Sequence, residues 1–273
     1  PKGQTNPTSK QFDPFLGNRF LTILREDWNI FAENYLGVKL DSEQKSMLQA
    51  INKNRRVAVK SGHGRGKDYV AAVAALCFFY LYFPSKVVLT APTERQVISI
   101  LMAELSMIHK RANIKLSEYG LKLGGVPQTS KLIDPGFPEH YIIGFKAQDK
   151  DAEAWHGYHS SNIMVILSEA SGLEDSTYES VEGLLTGTTV RQVLISNPFR
   201  VVGKFFKAFN EPDSLYKQIT MDCLNAPNVI AKRQIIPGQV DYDWVNDHVK
   251  MRGWTQEITK TDYNEKAGDF IWE

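Results

Sequence analysis

Ser61-Gly62-His63-Gly64-Arg65-Gly66-Lys67-Asp68 lies between a strand-like run, Arg56-Val57-Ala58-Val59-Lys60, and a long apolar run beginning at Tyr69. Glycines at alternate positions let a backbone curl until successive N–H groups face one anion. A following helix would add its positive end and Lys67 a full charge, so the stretch reads as a phosphate-binding loop for a nucleoside triphosphate. Two positions depart from the usual pattern, Gly-x-x-x-x-Gly-Lys-Ser/Thr. Ser61 replaces its first glycine. Asp68 stands where a hydroxyl normally touches Mg²⁺.

About a hundred residues on, Asn162-Ile163-Met164-Val165-Ile166-Leu167-Ser168-Glu169-Ala170 is an apolar run ending in polar residues, as expected of a buried parallel strand whose tip reaches a site. It has the form of a Walker B strand, in which an Asp holds the Mg²⁺ shell and a following Glu activates water. Glu169 occupies the Glu position, but Ser168 replaces the Asp. The two departures are complementary: carboxylate Asp68 in the loop and hydroxyl Ser168 on the strand exchange the usual places, keeping one of each beside the ion. A rewired metal site is one reading, and a slow or inactive hydrolase is the other.

Arg191-Gln192-Val193-Leu194-Ile195-Ser196-Asn197-Pro198 is a second buried-strand pattern, with an amide at its tip that could sense a γ-phosphate. Lys86-Val87-Val88-Leu89-Thr90 is a third, followed by Ala91-Pro92-Thr93. With the strand before the loop, these predict an α/β fold: a doubly wound, mostly parallel sheet flanked by helices, with the ligand at its carboxyl edge.

Leu40-Asp41-Ser42-Glu43-Gln44, the loop Ser61 to Asp68, Ala91-Pro92-Thr93-Glu94-Arg95-Gln96, the strand through Glu169-Ala170-Ser171-Gly172 and Ser196-Asn197-Pro198 occur in this order. Together they resemble the ATPase domain of tailed-bacteriophage terminase large subunits, motors that pump viral DNA into a preformed capsid. The resemblance runs from about residue 28 to the C-terminus. It implies a P-loop NTPase of the RecA-like (ASCE) class that uses ATP and Mg²⁺. It also implies roles: Gln44 reads the adenine edge, Lys67 binds the β/γ-phosphates, Glu169 is the catalytic base, and Ser196 and Asn197 couple hydrolysis to movement. Family members often carry an Arg-Gly pair before the Walker B strand, and here that place reads Trp155-His156-Gly157. Some relatives carry a loop arginine where this chain has His63. The arginine finger is therefore unassigned, with Arg65, Arg95 and Arg200 as candidates. The resemblance further implies double-stranded DNA, a terminase small subunit and a portal protein as partners, a ring homo-oligomer when assembled, and action in the host cytoplasm. A C-terminal nuclease domain would follow Ala267-Gly268-Asp269-Phe270-Ile271-Trp272-Glu273, so the chain is expected to be a fragment, monomeric alone and without cutting activity.

The composition fits this reading without requiring it. The 273 residues, 42% hydrophobic, can bury a large core, and a formal net charge of +1 supplies no global basic footprint for nucleic acid. Any DNA contact would be local, at Lys53-Asn54-Arg55-Arg56, Lys204 with Lys207, or Lys232-Arg233. Two distant cysteines, Cys77 and Cys223, suit a reducing compartment and form no zinc cluster. Val70 to Phe83 is too short to span a bilayer and there is no signal segment, so no membrane partner is expected.

The expected organisation is a flexible segment 1–17, an ATPase core 18–225 and a linker or lid subdomain 226–273. Helical spacing marks Phe20 to Tyr35, Asp41 to Asn52, Glu94 to Ala112 and Val245 to Gly253. Asn113 to Glu139 reads as an excursion bearing a hairpin, and Tyr216 to Thr220 as an added strand. Two other functions fit the same motifs: a helicase-like nucleic-acid-dependent ATPase, and a nucleotide-binding assembly module with impaired hydrolysis.

Overall fold

A computed structural model describes residues 14–147 and 155–251. The expected junction near residue 267 and most of the N-terminal segment lie outside them. The chain opens with α1 (Pro14–Glu26) and α2 (Trp28–Phe31), which runs into a π-helical turn, Ala32–Leu36, closed by Gly37 in the left-handed region. Helix α3 (Ser42–Lys53) starts at Asp41 with a capping box: the Gln44 N–H donates to the Asp41 carboxylate, and the Asp41 N–H donates to the Gln44 side chain.

Then come β1 (Arg56–Ser61), α4 (Lys67–Leu81) and β2 (Lys86–Ala91). A π-helical turn, Gln96–Met102, leads into α5 (Ala103–Ser117). Strands β3 (Val126–Pro127), β4 (Lys131–Asp134) and β5 (Phe137–Lys146) follow. The remaining elements are β6 (Asn162–Ser168), α6 (Asp175–Leu184), β7 (Thr189–Ser196), α7 (Gly203–Asn210), β8 (Lys217–Met221), α8 (Pro227–Ala231) and α9 (Tyr242–Met251).

The eight strands form one sheet, ordered β3-β4-β5-β2-β6-β7-β1-β8. From β5 to β8 every pairing is parallel, while β3 and β4 add an antiparallel edge. The expected parallel α/β sheet is thus present, with more strands than the sequence patterns marked. Strand alternation divides the core between two faces. Val57, Val59, Val87, Leu89, Met164, Ile166, Val193 and Ile195 pack with α3, α4 and α5. Ala58, Val88, Ile163, Val165, Leu167 and Leu194 pack with Trp155, Tyr178, Val181 and Phe205 on the opposite face. Helix α4 is buried along nearly its whole length, which explains its apolar composition. Among the described residues, no helix is long and apolar enough to cross a membrane.

One topological fact positions the chemistry. Strand β7 lies between β1 and β6, so its tip separates the loop after β1 from the acidic turn after β6. A third apolar cluster, Cys223, Ala226, Val229, Val240 and Val245, belongs to the C-terminal segment.

Candidate active site

Ser61 ends β1, and its carbonyl accepts a hydrogen bond from the Asn197 side chain at 2.8 Å. The chain then turns through Gly62–Gly66 into α4. Gly64 and Gly66 have φ of 63° and 78°, left-handed values that disfavour any side chain. Gly62 is required for space, since a Cβ there would lie 2.3 Å from Cys223 Sγ. The Val240 N–H donates to the Gly64 carbonyl at 2.9 Å, and the Cys223 thiol donates to the His63 carbonyl at 3.4 Å. The C-terminal segment therefore backs the loop directly, a contact with no signal in the sequence.

The first turn of α4 carries Lys67 and Asp68. The Lys67 ammonium lies 3.1 Å from the Glu169 carboxylate and 3.4 Å from that of Asp68. Burial alone would lower its pKa, but the two carboxylates more than offset this, and the pKa is raised. Ser168, at the tip of β6, donates from Oγ to Asp68 Oδ1 at 2.9 Å. The proposed exchange of hydroxyl and carboxylate thus has a geometric counterpart, with the two side chains adjacent and facing each other.

Glu169 adopts φ 47° and ψ 44°, a left-handed conformation uncommon for a non-glycine residue. The turn Ala170–Gly172 holds it there: Gly172 N–H donates to the Glu169 carbonyl at 2.8 Å, and the buried Tyr178 hydroxyl donates to the Ala170 carbonyl at 2.6 Å. Such strain at a strand tip aims the carboxylate at the loop. From β7, Ser196 Oγ reaches Glu169 Oε2 at 3.4 Å. Lys67, Asp68, Ser168, Glu169, Ser196 and Asn197 are thereby gathered from two adjacent strand tips and one helix start.

Two expectations meet a different geometry. Gln44 is 3% exposed and both ends of its amide are engaged: its oxygen accepts from Asp41 and its nitrogen donates to the Arg65 carbonyl at 3.0 Å. It braces the loop and does not present an edge to a base. Arg65 is 1% exposed, with its guanidinium 3.2 Å from the Asp41 carboxylate, 2.9 Å from that of Glu43 and 3.2 Å from the Gln239 side-chain oxygen Oε1. An arginine held this way ties the loop to α3 and to the C-terminal segment and cannot reach a neighbouring molecule's nucleotide. Alternating Gly-x-Gly-x-Gly spacing shows no side-chain direction, so the sequence could not reveal this.

Arg95 and Arg200 are exposed, the first in the helical turn that follows β2 and the second on the loop that follows β7. His63 is exposed as well, its ring 5.9 Å from that of Phe199 and 6.0 Å from that of Trp244. Partial burial, followed by the charge of Lys67, lowers its pKa. Trp155 is buried against Phe145. In the basic run before β1, Arg56 pairs with Glu182 at 2.6 Å and Arg55 bonds the Leu185 carbonyl, so both are engaged within the chain.

No protein-family model matches the sequence. The chain is 26% identical over 223 residues to a protein of Enterobacteria phage P7 described as "Probable terminase, large subunit"; the match covers 78% of this chain and 44% of that protein, less than half of the relative's length. The large terminase ATPase domain of Thermus phage P74-26 superimposes with a TM-score of 0.61 at 18% identity, covering 90% of this chain and 99% of that domain, a likeness of fold. The chain is thus similar in sequence to a protein described as a probable terminase large subunit, and it has the fold of a large terminase ATPase domain.

Proposed function

We propose that the chain is the ATP-hydrolysing motor domain of a viral terminase large subunit, driving translocation of double-stranded DNA into a procapsid. The observation that carries this reading is the set of contacts at the carboxyl edge of the sheet: Lys67 against Glu169 at 3.1 Å, beside Ser168 against Asp68 at 2.9 Å. An ammonium at the start of a helix behind a glycine loop holds phosphates, and a carboxylate on the adjacent strand tip orients water.

In the reaction, the loop amides and Lys67 stabilise charge on the transferring phosphoryl group. Glu169 accepts the proton of the attacking water as the bond between the γ-phosphorus and the bridging oxygen breaks. Mg²⁺ bound to the nucleotide typically takes only one or two protein ligands, the rest being phosphate and water. The adjacent Asp68 carboxylate and Ser168 hydroxyl suit that donor set and are the residues that would hold it. When bound, the ion supplies charge neutralisation at the phosphates. Lys67, at present shared by two carboxylates, would move to the phosphates and release Glu169 for water.

Ser196 and Asn197 sit between loop and base, which suits the coupling role. On this reading the domain works in the host cytoplasm within a ring of copies, beside a small subunit and a portal protein. The finger would come from Arg95 or Arg200 of a neighbouring copy. The region from residue 226 onward would act as a lid or linker subdomain.

Calorimetric titration of ATPγS with and without Mg²⁺ tests the first step. The parent should bind with Mg²⁺-dependent affinity, and Lys67→Ala should lose at least about tenfold, as for a charge-assisted contact. Binding unchanged by Lys67→Ala would remove the basis of the proposal.

A further inference from the structure

The turn after Glu169 contains a hydroxyl that the motifs do not single out. Ser171 is 8% exposed, and its Oγ lies 2.8 Å from Ser196 Oγ and 3.1 Å from the Asn197 carbonyl oxygen. Ser196 Oγ in turn lies 2.9 Å from that same carbonyl and 3.4 Å from Glu169 Oε2. This group can be counted by protons. The Glu169 carboxylate and the Asn197 carbonyl only accept, while each serine brings one proton and can also accept.

Of the arrangements these distances allow, one serves both acceptors, and its chief competitor leaves the carboxylate out. In the first, Ser196 donates to Glu169 and Ser171 donates to the Asn197 carbonyl. In the second, Ser196 donates to the Asn197 carbonyl and Ser171 donates to Ser196, leaving Glu169 without a serine donor. Without the Ser171 proton, the single proton of Ser196 faces two acceptors. The carbonyl is nearer, at 2.9 Å against 3.4 Å, and with the Phe199 N–H already on it at 3.0 Å it keeps one lone pair open, the one that Ser171 otherwise fills.

We infer that Ser171 is a positioning residue for hydrolysis: by satisfying the Asn197 carbonyl it frees the Ser196 proton for Glu169, and so fixes the carboxylate that activates water. This inference rests on the proposed ATPase reading and deepens it. Its importance grows when nucleotide binds, because Lys67 then leaves Glu169 for the phosphates and Ser196 is the remaining side chain seen to hold the base. Two rotations, of the Ser171 and Ser196 hydroxyls, convert one arrangement into the other. They link the position of Glu169 to the tip of β7, whose Asn197 side chain is bonded to the Ser61 carbonyl at the loop entrance.

The test is steady-state hydrolysis of Mg·ATP by the parent, Ser171→Ala, Ser171→Thr, Ser196→Ala, the double variant S171A/S196A and Glu169→Ala, each with a thermal melt as a folding check. Ser171→Ala should lower kcat about tenfold, the scale of one hydrogen bond to a charged group, with KM little changed. Ser171→Thr, which keeps the hydroxyl, should recover most of the loss. In the Ser196→Ala background the Ser171→Ala change should add nothing, because no proton remains to be freed. Parent-like kcat in a folded Ser171→Ala, or full additivity in the double variant, overturns the relay while leaving the ATPase reading intact. Parent-like turnover in Glu169→Ala overturns the reading of the site and the relay with it.

Discussion

Replacing Ser168 by Asp restores the carboxylate usual at a Walker B tip, and the structure predicts that in this chain the change is harmful on its own. Ser168 is 2% exposed, and its hydroxyl donates to Asp68 at 2.9 Å. An Asp at 168 would replace that bond with two carboxylates in contact, beside Glu169, with Lys67 the one ammonium seen pairing with this group. Two like charges about 4 Å apart repel by about 4 kcal/mol at an effective dielectric constant of about 20. The Asp68 side chain is 25% exposed, so solvent screens part of this. Adding the lost hydrogen bond gives a net destabilisation of roughly 2–4 kcal/mol at neutral pH. Mg²⁺ with nucleotide should offset it. The reciprocal variant D68S/S168D returns one carboxylate and one hydroxyl to the pair and should regain most of the stability. Urea denaturation of the three proteins at pH 7, with and without Mg·ATPγS, measures this. Ser168→Asp as stable as the parent, or D68S/S168D no better than Ser168→Asp, would refute the argument that the two positions form one interdependent pair.

Arg65 offers a second test, since its guanidinium is bonded to Asp41, Glu43 and Gln239 with no solvent access. Arg65→Met should cost about 3–5 kcal/mol by stranding buried carboxylates, and Arg65→Lys should recover only part because one ammonium cannot replace the planar fork; denaturant midpoints decide, and a loss below about 1 kcal/mol would remove the clamp from the account. Stability should also depend on pH through His140, His109 and His63, whose pKa values burial holds below the ordinary histidine value of 6.5. The unfolded chain binds these protons at higher pH than the folded one, so stability is fully present above about pH 6.5 and declines as pH falls through the lowered values. His140, stacked on Phe79 at 3.9 Å, should contribute, and His140→Gln should flatten that slope in melts taken from pH 7.5 to 5.5; an unchanged slope would contradict this.

Much of the scaffold was legible because strands buried on both faces form short apolar runs that are hard to mistake. Strands β1, β2, β6 and β7 were marked in this way, and Asp41 announced α3 through its cap. The strand β5 was missed although His140-Tyr141-Ile142-Ile143-Gly144-Phe145 carries a fair strand pattern. The glycines and prolines around it point to a hairpin, and only the β2 pairing shows that the excursion returns to the sheet. At the site, residue type and order located Lys67, Asp68, Ser168 and Glu169, whose contacts follow from strand tips meeting one helix start. Gln44 and Arg65 were read differently because their roles depend on side-chain direction. Two partners of Arg65, Asp41 and Gln239, are separated from it by 24 and 174 residues, and no local pattern links them. Ser171 gave a weak signal, a small hydroxyl residue two places after the acidic one.

The central claim is that the Lys67, Asp68, Ser168 and Glu169 cluster is a working ATP hydrolase. Phosphate release from Mg·ATP by the parent and by Glu169→Ala, at protein concentrations high enough to favour assembly, tests it most directly. The account predicts turnover in the parent and a loss of at least about a hundredfold in a Glu169→Ala variant that still binds ATPγS. A parent that binds nucleotide without turning it over, but gains activity as Ser168→Asp, would contradict it and make the exchanged pair a disabled site.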